Sequence, residues 1–314
     1  MDVDLAKCDL IKGQLGGGNW LLSAWSVEIS HRSRAGEFRM TTLSQDGTDT
    51  MEADLSFLMD FAEKNRGRYL TAAPYPHIAI DNFLRSEILD TVVRDFPSRD
   101  SVPWVPMVDA DQRKFATNVP SKMAPSVRRV LYFLNSREIV NFLEKLTGIQ
   151  GLIPDPHYAG GGCHELRPGG FLKVHADFNW HKQMRLDRRI NLLIYLNKDW
   201  QPEYGGNLEL WDAAMSLKVA EYAPLFNRCV IFNTTDKSFH GNPKPVSCPP
   251  DRSRRSLAFY YYTNGRPAGE VSQSHGTLFK NRPGEATVGE MTVSFAHRIV
   301  PPIVLDAWRN LRRH

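Results

Sequence analysis

The stretch from residue 171 to residue 262 is divided into short apolar runs by glycine-containing and polar turns, and this spacing constrains the fold more than any other feature. Each run has the length of one strand, and the runs cover 171–177, 190–196, 207–211, 228–232 and 256–262. Several short strands at this spacing are typical of a β-sandwich or a jelly roll. The sequence therefore predicts a mainly β core.

Helical patterns precede these runs. Residues 86–96, 126–134 and 136–146 have apolar residues at helical spacing, and Ser136 stands at the cap position of the last one. Residues 73–84 are predicted to form a strand that enters a turn. The expected fold class is thus α+β, a mainly β core with flanking helices.

The start of the chain has no sustained hydrophobic periodicity. Residues 1 to about 50 are rich in glycine, serine, threonine and charge, which is the composition of a partly disordered segment. We therefore expect an N-terminal extension over residues 1–67 and one domain over residues 68–314.

Two side chains with metal-binding chemistry lie two positions apart in the first apolar run. Because side chains alternate along a strand, His175 and Asp177 are expected on the same face, where both can bind one ion. His240 supplies a second imidazole further along the chain. Two histidines and one carboxylate leave coordination positions open, as non-haem Fe(II) enzymes require, whereas a structural zinc site is closed and usually richer in cysteine.

These residues resemble the iron(II)/2-oxoglutarate-dependent oxygenases, in particular their prolyl-4-hydroxylase-like branch, over about residues 154–263. The resemblance implies a double-stranded β-helix (jelly-roll) core and iron bound by His175, Asp177 and His240. It also implies a basic residue after the second histidine that binds the distal carboxylate of 2-oxoglutarate. In this chain that residue stands later than usual, because the proline-rich stretch 243–250 inserts a loop.

The basic residue is identified from its place before the last strand. Arg254 stands three positions before Leu257, as the resemblance implies, and alternation turns Arg255 outward. Arg255 is the alternative if the register is shifted by one. Tyr195 and Ser256 are the further residues that the resemblance assigns to 2-oxoglutarate.

The resemblance implies Fe(II) as the metal, with 2-oxoglutarate and O2 as co-substrates. Oxidation of 2-oxoglutarate to succinate and CO2 would drive hydroxylation of an unactivated C–H bond. Related halogenases have a small residue in place of the ligand carboxylate, so Asp177 disfavours halogenation. A silent jelly-roll binding module and a zinc hydrolase are the alternatives, and a zinc hydrolase would need a general base rather than a carboxylate-binding arginine.

The substrate is less constrained. His164 precedes the iron motif, whereas Asn179, Trp180 and His181 follow it, so these four residues are predicted to border the substrate mouth. Polar and aromatic groups there suit an amino-acid-like, peptidyl (including prolyl) or other small polar substrate. Ordinary loop packing is the alternative for His164, Trp180 and His181.

Composition excludes some classes of partner. A net charge of +4 is too small to indicate nucleic-acid binding, and no apolar run is long enough to span a membrane. The four cysteines have no metal-ligand spacing and are too few for a disulfide scaffold, which fits a reducing cytoplasm. The oligomeric state is left open.

Overall fold

A computed structural model describes residues 49–280 of the chain. The segment of expected partial disorder, residues 1 to about 50, lies almost wholly outside these residues. Helix α1 spans Asp49–Leu70 and so runs across the domain boundary expected at residue 67. Its residues Leu58 and Ala62 are fully buried in the main core, so this helix packs as part of the folded unit.

Three further helices follow, close to where the sequence predicts them. They are α2 (Ser86–Arg94), α3 (Pro125–Leu134) and α4 (Arg137–Thr147). Ser136 is the N-cap of α4, where its side chain accepts a hydrogen bond from the backbone N–H of Ile139. The four helices of the described part pack on one side of the molecule, and none of them is long and apolar enough to cross a membrane.

The strands alternate with turns along the rest of the described chain. They are β1 (His77–Ile80), β2 (Val105–Val108), β3 (Gln112–Thr117), β4 (Ile153–Pro154), β5 (Gly162–Leu166), β6 (Phe171–Ala176), β7 (Trp180–His181), β8 (Leu186–Tyr195), β9 (Leu208–Trp211), β10 (Lys218–Tyr222), β11 (Cys229–Asn233), β12 (His240–Asn242), β13 (Arg254–Thr263) and β14 (Leu278–Phe279). All strand pairings within the sheet are antiparallel. The neighbours run in the order β1-β11-β8-β13-β5-β3-β6-β12-β9-β10.

Alternation along the central strands gives the sheet two distinct faces. On β8, Ile190, Leu192 and Ile194 pack into the large core that the helices complete. The intervening residues Asn191 and Tyr195 point the other way, into a cavity. One face of the sheet is thus covered by helices, while the other carries polar groups.

The cavity shows that the sheet folds over on itself. Its walls come from β5, β8 and β13 on one side and from β6, β9 and β12 on the other, although these groups lie at different ends of the strand order. Two sheets facing each other in this way form the double-stranded β-helix, so the predicted fold class is confirmed.

Candidate iron and 2-oxoglutarate site

The two predicted histidine ligands lie directly opposite each other on neighbouring strands. His240 begins β12, a short strand, and it is paired with His175 of β6. The centroids of the two imidazole rings are 4.5 Å apart. Asp177 follows β6 directly, and one ligand atom from each of the three residues lies within 4.8 Å of the others. The structure therefore brings His175, Asp177 and His240 together.

Hydrogen bonds fix which nitrogen of each ring is free. Nδ1 of His175 lies 2.8 Å from the carbonyl oxygen of Lys173, and Nδ1 of His240 lies 3.0 Å from that of Ser238. A carbonyl only accepts, so each Nδ1 donates its proton to the carbonyl and each Nε2 is the nitrogen left to face a metal ion. The Nε2 atoms lie 3.5 Å (His175) and 3.3 Å (His240) from Asp177 oxygens. Both rings thus present a metal-binding nitrogen towards the carboxylate.

The carboxylate is held in place and kept ionised. Oδ2 of Asp177 accepts hydrogen bonds from Nη2 of Arg188 at 2.9 Å and from Nδ2 of Asn191 at 2.6 Å. Burial acts to raise the pKa of Asp177, but the charge of Arg188 and the two histidines outweigh it and hold this pKa well below its ordinary value. A charged, oriented carboxylate with two imidazole nitrogens facing it fits a ferrous ion.

Arg254 is a buried cation without an acidic partner among residues 49–280. Its side chain is 5% exposed, its Nε donates to the carbonyl of Gly206 at 2.6 Å, and its Nη2 donates to the hydroxyl oxygen of Tyr195 at 3.3 Å. Burial lowers its pKa. Because a buried charge is costly unless it is paired, this site requires an anion, and a guanidinium binds a carboxylate with two hydrogen bonds.

The turn before β9 makes room for this arginine. Gly206 has a φ of +72°, and a Cβ atom there would lie 2.8 Å from Cδ of Arg254. A larger residue would therefore push the guanidinium away from its position beside Tyr195. Ser256 is buried beside the same cavity, so the structure places all three residues predicted for 2-oxoglutarate together.

Arg255 points out of the cavity, as strand alternation requires. Its Nε lies 3.8 Å from a carboxylate oxygen of Glu165, and its guanidinium packs over the ring of Phe96 at 4.9 Å from the centroid. The two arginines thus occupy opposite faces of β13.

Of the four predicted substrate residues, only His164 lines the cavity. Its Nε2 lies 3.0 Å from the carbonyl of Gly160, and burial together with the charge of Lys114 lowers its pKa to about 3. His164 is therefore a neutral group at physiological pH.

The other three predicted substrate residues do not line the cavity. The side chain of Asn179 donates to Ser272 and to the backbone of Gln273, at 3.0 Å each, and so holds the segment after β13. Trp180 pairs with β8 at the edge of the sheet. Nδ1 of His181 accepts from the backbone N–H of Met184 at 3.0 Å, which is a structural contact.

The sequence prediction missed several groups at the site. Asn191 lies four positions before Tyr195 on β8. Because side chains alternate between the two faces of a strand, both face the same side, and this rule could have identified Asn191. Arg188 lies on the same strand but is not in phase with these two. Lys114 belongs to β3, which carries no recognisable motif, and only the folded sheet places it in the cavity.

We predict that Asn191→Ala weakens Fe(II) binding about 10- to 100-fold, because residues that orient a metal ligand typically contribute that much. Asn191 is neutral, so its loss alters the position of Asp177 rather than the charge around the ion. The affinity is measured anaerobically by competition with a chelator. Asn207→Ala, which removes an amide that donates to Glu221 outside the cavity, is the matched control. Equal affinities of the two variants would contradict the role of Asn191.

Comparison with known proteins agrees with this site. Residues 161–262 match the family model described as "2OG-Fe(II) oxygenase superfamily". The match includes all three candidate metal ligands and Arg254. The match confirms, for these residues, the resemblance to the iron(II)/2-oxoglutarate-dependent oxygenases, and the prolyl-4-hydroxylase-like branch stays a prediction. No curated protein matches the chain significantly.

Solved structures with a similar chain path include two prolyl hydroxylases. The prolyl-4-hydroxylase of Pseudomonas putida has 17% identity and a TM-score of 0.47, with 65% of this chain and 100% of that chain covered. A prolyl hydroxylase from Trichoplax adhaerens, in complex with a hypoxia inducible factor peptide, has 15% identity and a TM-score of 0.48, with 69% and 94% covered.

HygX from Streptomyces hygroscopicus, with nickel, 2-oxoglutarate and hygromycin B bound, has 12% identity and a TM-score of 0.43, with 65% of this chain and 92% of that chain covered. The three TM-scores lie below 0.5. The assignment of the domain therefore rests on the sheet, the side chains of the cavity and the family match.

Proposed function

We propose that this chain, whose residues 161–262 form a 2OG-Fe(II) oxygenase domain, hydroxylates an unactivated C–H bond and releases succinate and CO2. The proposed substrate is amino-acid-like, peptidyl (including prolyl) or another small polar molecule. One observation carries the proposal: an oriented His-Asp-His set shares one cavity with a buried arginine that has no acidic partner among the described residues. Such a cavity has sites for a metal ion and for a dianion beside it.

Each residue has a proposed task. His175, Asp177 and His240 bind Fe(II), which supplies the oxygen chemistry when it is bound together with 2-oxoglutarate. Arg254 would bind the distal carboxylate of 2-oxoglutarate, and Tyr195, whose hydroxyl accepts a hydrogen bond from Arg254, and Ser256 line the same cavity and would contribute their hydroxyls to that site.

The residues around the site orient a metal ligand and line the cavity with apolar side chains. Arg188 and Asn191 keep one oxygen of Asp177 occupied, which directs the other oxygen towards the metal position. Leu166, Leu172 and Leu208 line the cavity and exclude water between the metal site and Arg254.

The two alternative functions fit the cavity less well. A zinc hydrolase needs a general base beside the metal-bound water, but Asp177 is the only carboxylate among the described residues that line the cavity. A catalytically inactive binding module does not require a complete metal site together with a buried arginine that lacks an acidic partner among the described residues.

The test is anaerobic addition of Fe(II) and 2-oxoglutarate to the purified chain. We expect a weak visible charge-transfer band, which neither component gives alone, because both co-substrate oxygens and the metal must meet in one site. Admission of ¹⁸O2 with a substrate should then place one labelled oxygen atom in the product and one in succinate. Folded, metal-loaded protein without the band would refute the proposed function.

A further inference from the structure

A second cation enters the cavity from β3. Lys114 lines the cavity and belongs to β3. The next two residues of β3, Phe115 and Ala116, are paired with Glu165 and His164 of β5. That register places Lys114 beside Leu166, and Leu166 is paired on its other side with Arg254. Lys114 and Arg254 are therefore two strands apart, or about 10 Å between backbones, and Leu166 lies between them.

The side chain of Lys114 makes no hydrogen bond or ion pair with any residue of the part of the chain that the structure describes. Burial lowers its pKa; the charge of Asp177 opposes this shift, and the charges of Arg188 and Arg254 add to it. Asp177 is already paired with Arg188 at 2.9 Å and would also neutralise a bound metal ion. Lys114 is thus a cation that the described residues leave without an acidic partner of its own, so an anion bound in the cavity would pair it.

An unpaired neutral donor lines the same cavity. Asn242, on β12, is 5% exposed, and its Nδ2 has no hydrogen-bond partner. Buried polar groups in folded proteins are almost always hydrogen-bonded, so an unpaired amide that faces a cavity indicates a bound acceptor. Together with Lys114, it shows that the cavity is built for more acceptor groups than its own residues supply.

The two carboxylates of 2-oxoglutarate account for the metal site and for Arg254, but not for Lys114 and Asn242. In the proposed function one carboxylate is bound at the metal and the other at Arg254, which is 5% exposed, whereas Lys114 is half-buried and therefore more open to solvent. A substrate enters from the solvent side, so its anionic group would meet Lys114 first.

We propose that Lys114 is a specificity-determining residue whose ammonium group binds a carboxylate of the prime substrate. The substrate is then a small free acid, such as an amino acid, rather than an uncharged sugar or an internal stretch of a polypeptide. This inference rests on the proposed function. It narrows the substrate class to molecules that place a carboxylate at β3 and the reacting carbon at the metal.

The first experiment decides which carboxylate Lys114 binds. Lys114→Met removes the charge and keeps the length of the side chain, and 2-oxoglutarate affinity is titrated anaerobically through the charge-transfer band. We expect the Kd for 2-oxoglutarate to change less than about 3-fold, against about 30-fold or more for Arg254→Met. A loss of 2-oxoglutarate affinity in Lys114→Met as large as that in Arg254→Met would overturn the proposal, because Lys114 would then serve the co-substrate.

The second experiment decides the substrate class. The small-molecule fraction of a cell extract is given to the parent protein with Fe(II), ¹³C-labelled 2-oxoglutarate and ¹⁸O2, before and after its carboxylates are converted to methylamides. We expect ¹⁸O-labelled product only from the untreated fraction. Product from both fractions, or from neither, would overturn the proposal.

The third experiment tests whether Lys114 causes the selectivity for substrates that have a free carboxylate. With the labelled product as readout, Lys114→Met should lower its yield at least about 10-fold, and Lys114→Arg should recover much of it, because a hydrogen bond to a charged group typically contributes that much binding. Lys122→Met, at a lysine in the short helical turn after β3, is the control. Equal yields from Lys114→Met and Lys122→Met would overturn the proposal. The charge-transfer band of the parent protein tests the proposed function separately, so the two can fail independently.

Discussion

The Asp177→Ala protein is expected to lose Fe(II) affinity by more than about 100-fold, because changes to residues that merely orient a ligand already cost about 10- to 100-fold. Succinate formation should fall in parallel, since only two of the three proposed ligands remain. Metal affinity is measured by anaerobic competition with a chelator, and succinate by mass spectrometry. Asp177→Gly is the sharper variant, because it opens the same coordination position without adding bulk.

The stability of these variants has to be followed as well. Removal of Asp177 leaves Arg188, whose side chain is 1% exposed, without its ion pair, and a buried charge that loses its partner typically costs about 3–5 kcal/mol. The double variant Asp177→Ala/Arg188→Met removes this penalty and should fold like the parent while still failing to bind iron. Asp111→Ala, at a half-exposed partner of Lys173, is the control. Near-parent hydroxylation by Asp177→Ala would show that the ligand set is wrong.

The iron site was largely predictable from the sequence because its geometry is local. His175 and Asp177 are two positions apart at one strand end, and alternation alone puts them on one face. The place of Arg254 on β13 follows from the same rule, since its neighbour Arg255 faces the other side of the sheet. The sequence did not indicate that His240 begins a strand paired with His175, because that pairing joins segments 65 positions apart (240 − 175 = 65).

Two of the groups around the iron site, Arg188 and Lys114, could not be predicted because they depend on the folded sheet. Arg188 reaches Asp177 where the pairing of β8 with β13 shifts register, and Lys114 enters from a strand outside the matched family segment. Proximity in sequence was misleading for Asn179 and His181. Both stand close to the metal motif, yet the chain turns away after Asp177, and their side chains hold neighbouring loops instead.

Three cations, two that line the cavity and one that is paired with Asp177, should affect three separate steps when they are mutated. Arg188 acts on the metal ligand, Arg254 is proposed to act on the co-substrate, and Lys114 is proposed to act on the prime substrate. Metal affinity, 2-oxoglutarate affinity and product yield are measured independently. A variant of each residue should therefore change its own quantity most, which a general loss of folding would not do.

Arg254→Ala should raise the concentration of 2-oxoglutarate needed for half-maximal turnover by about 30-fold or more, whereas the requirement for Fe(II) should change little. The reason is that a buried carboxylate loses its charged hydrogen-bonding partner, which typically costs about 2–5 kcal/mol, and each 1.36 kcal/mol is about tenfold in binding. Both requirements are obtained from succinate formation while one component is varied and the other is saturating.

Arg255→Ala is the matched control, because it removes the same side chain from the neighbouring position of β13. Arg255 faces Glu165 and Phe96 outside the cavity, so its loss should leave the 2-oxoglutarate requirement within about 3-fold of the parent, as expected for a partly exposed ion pair. A larger effect for Arg255→Ala than for Arg254→Ala would mean that the register of β13 is shifted by one residue. The 2-oxoglutarate site would then lie on the opposite face of the sheet from the three candidate metal ligands, which is incompatible with chelation at the iron.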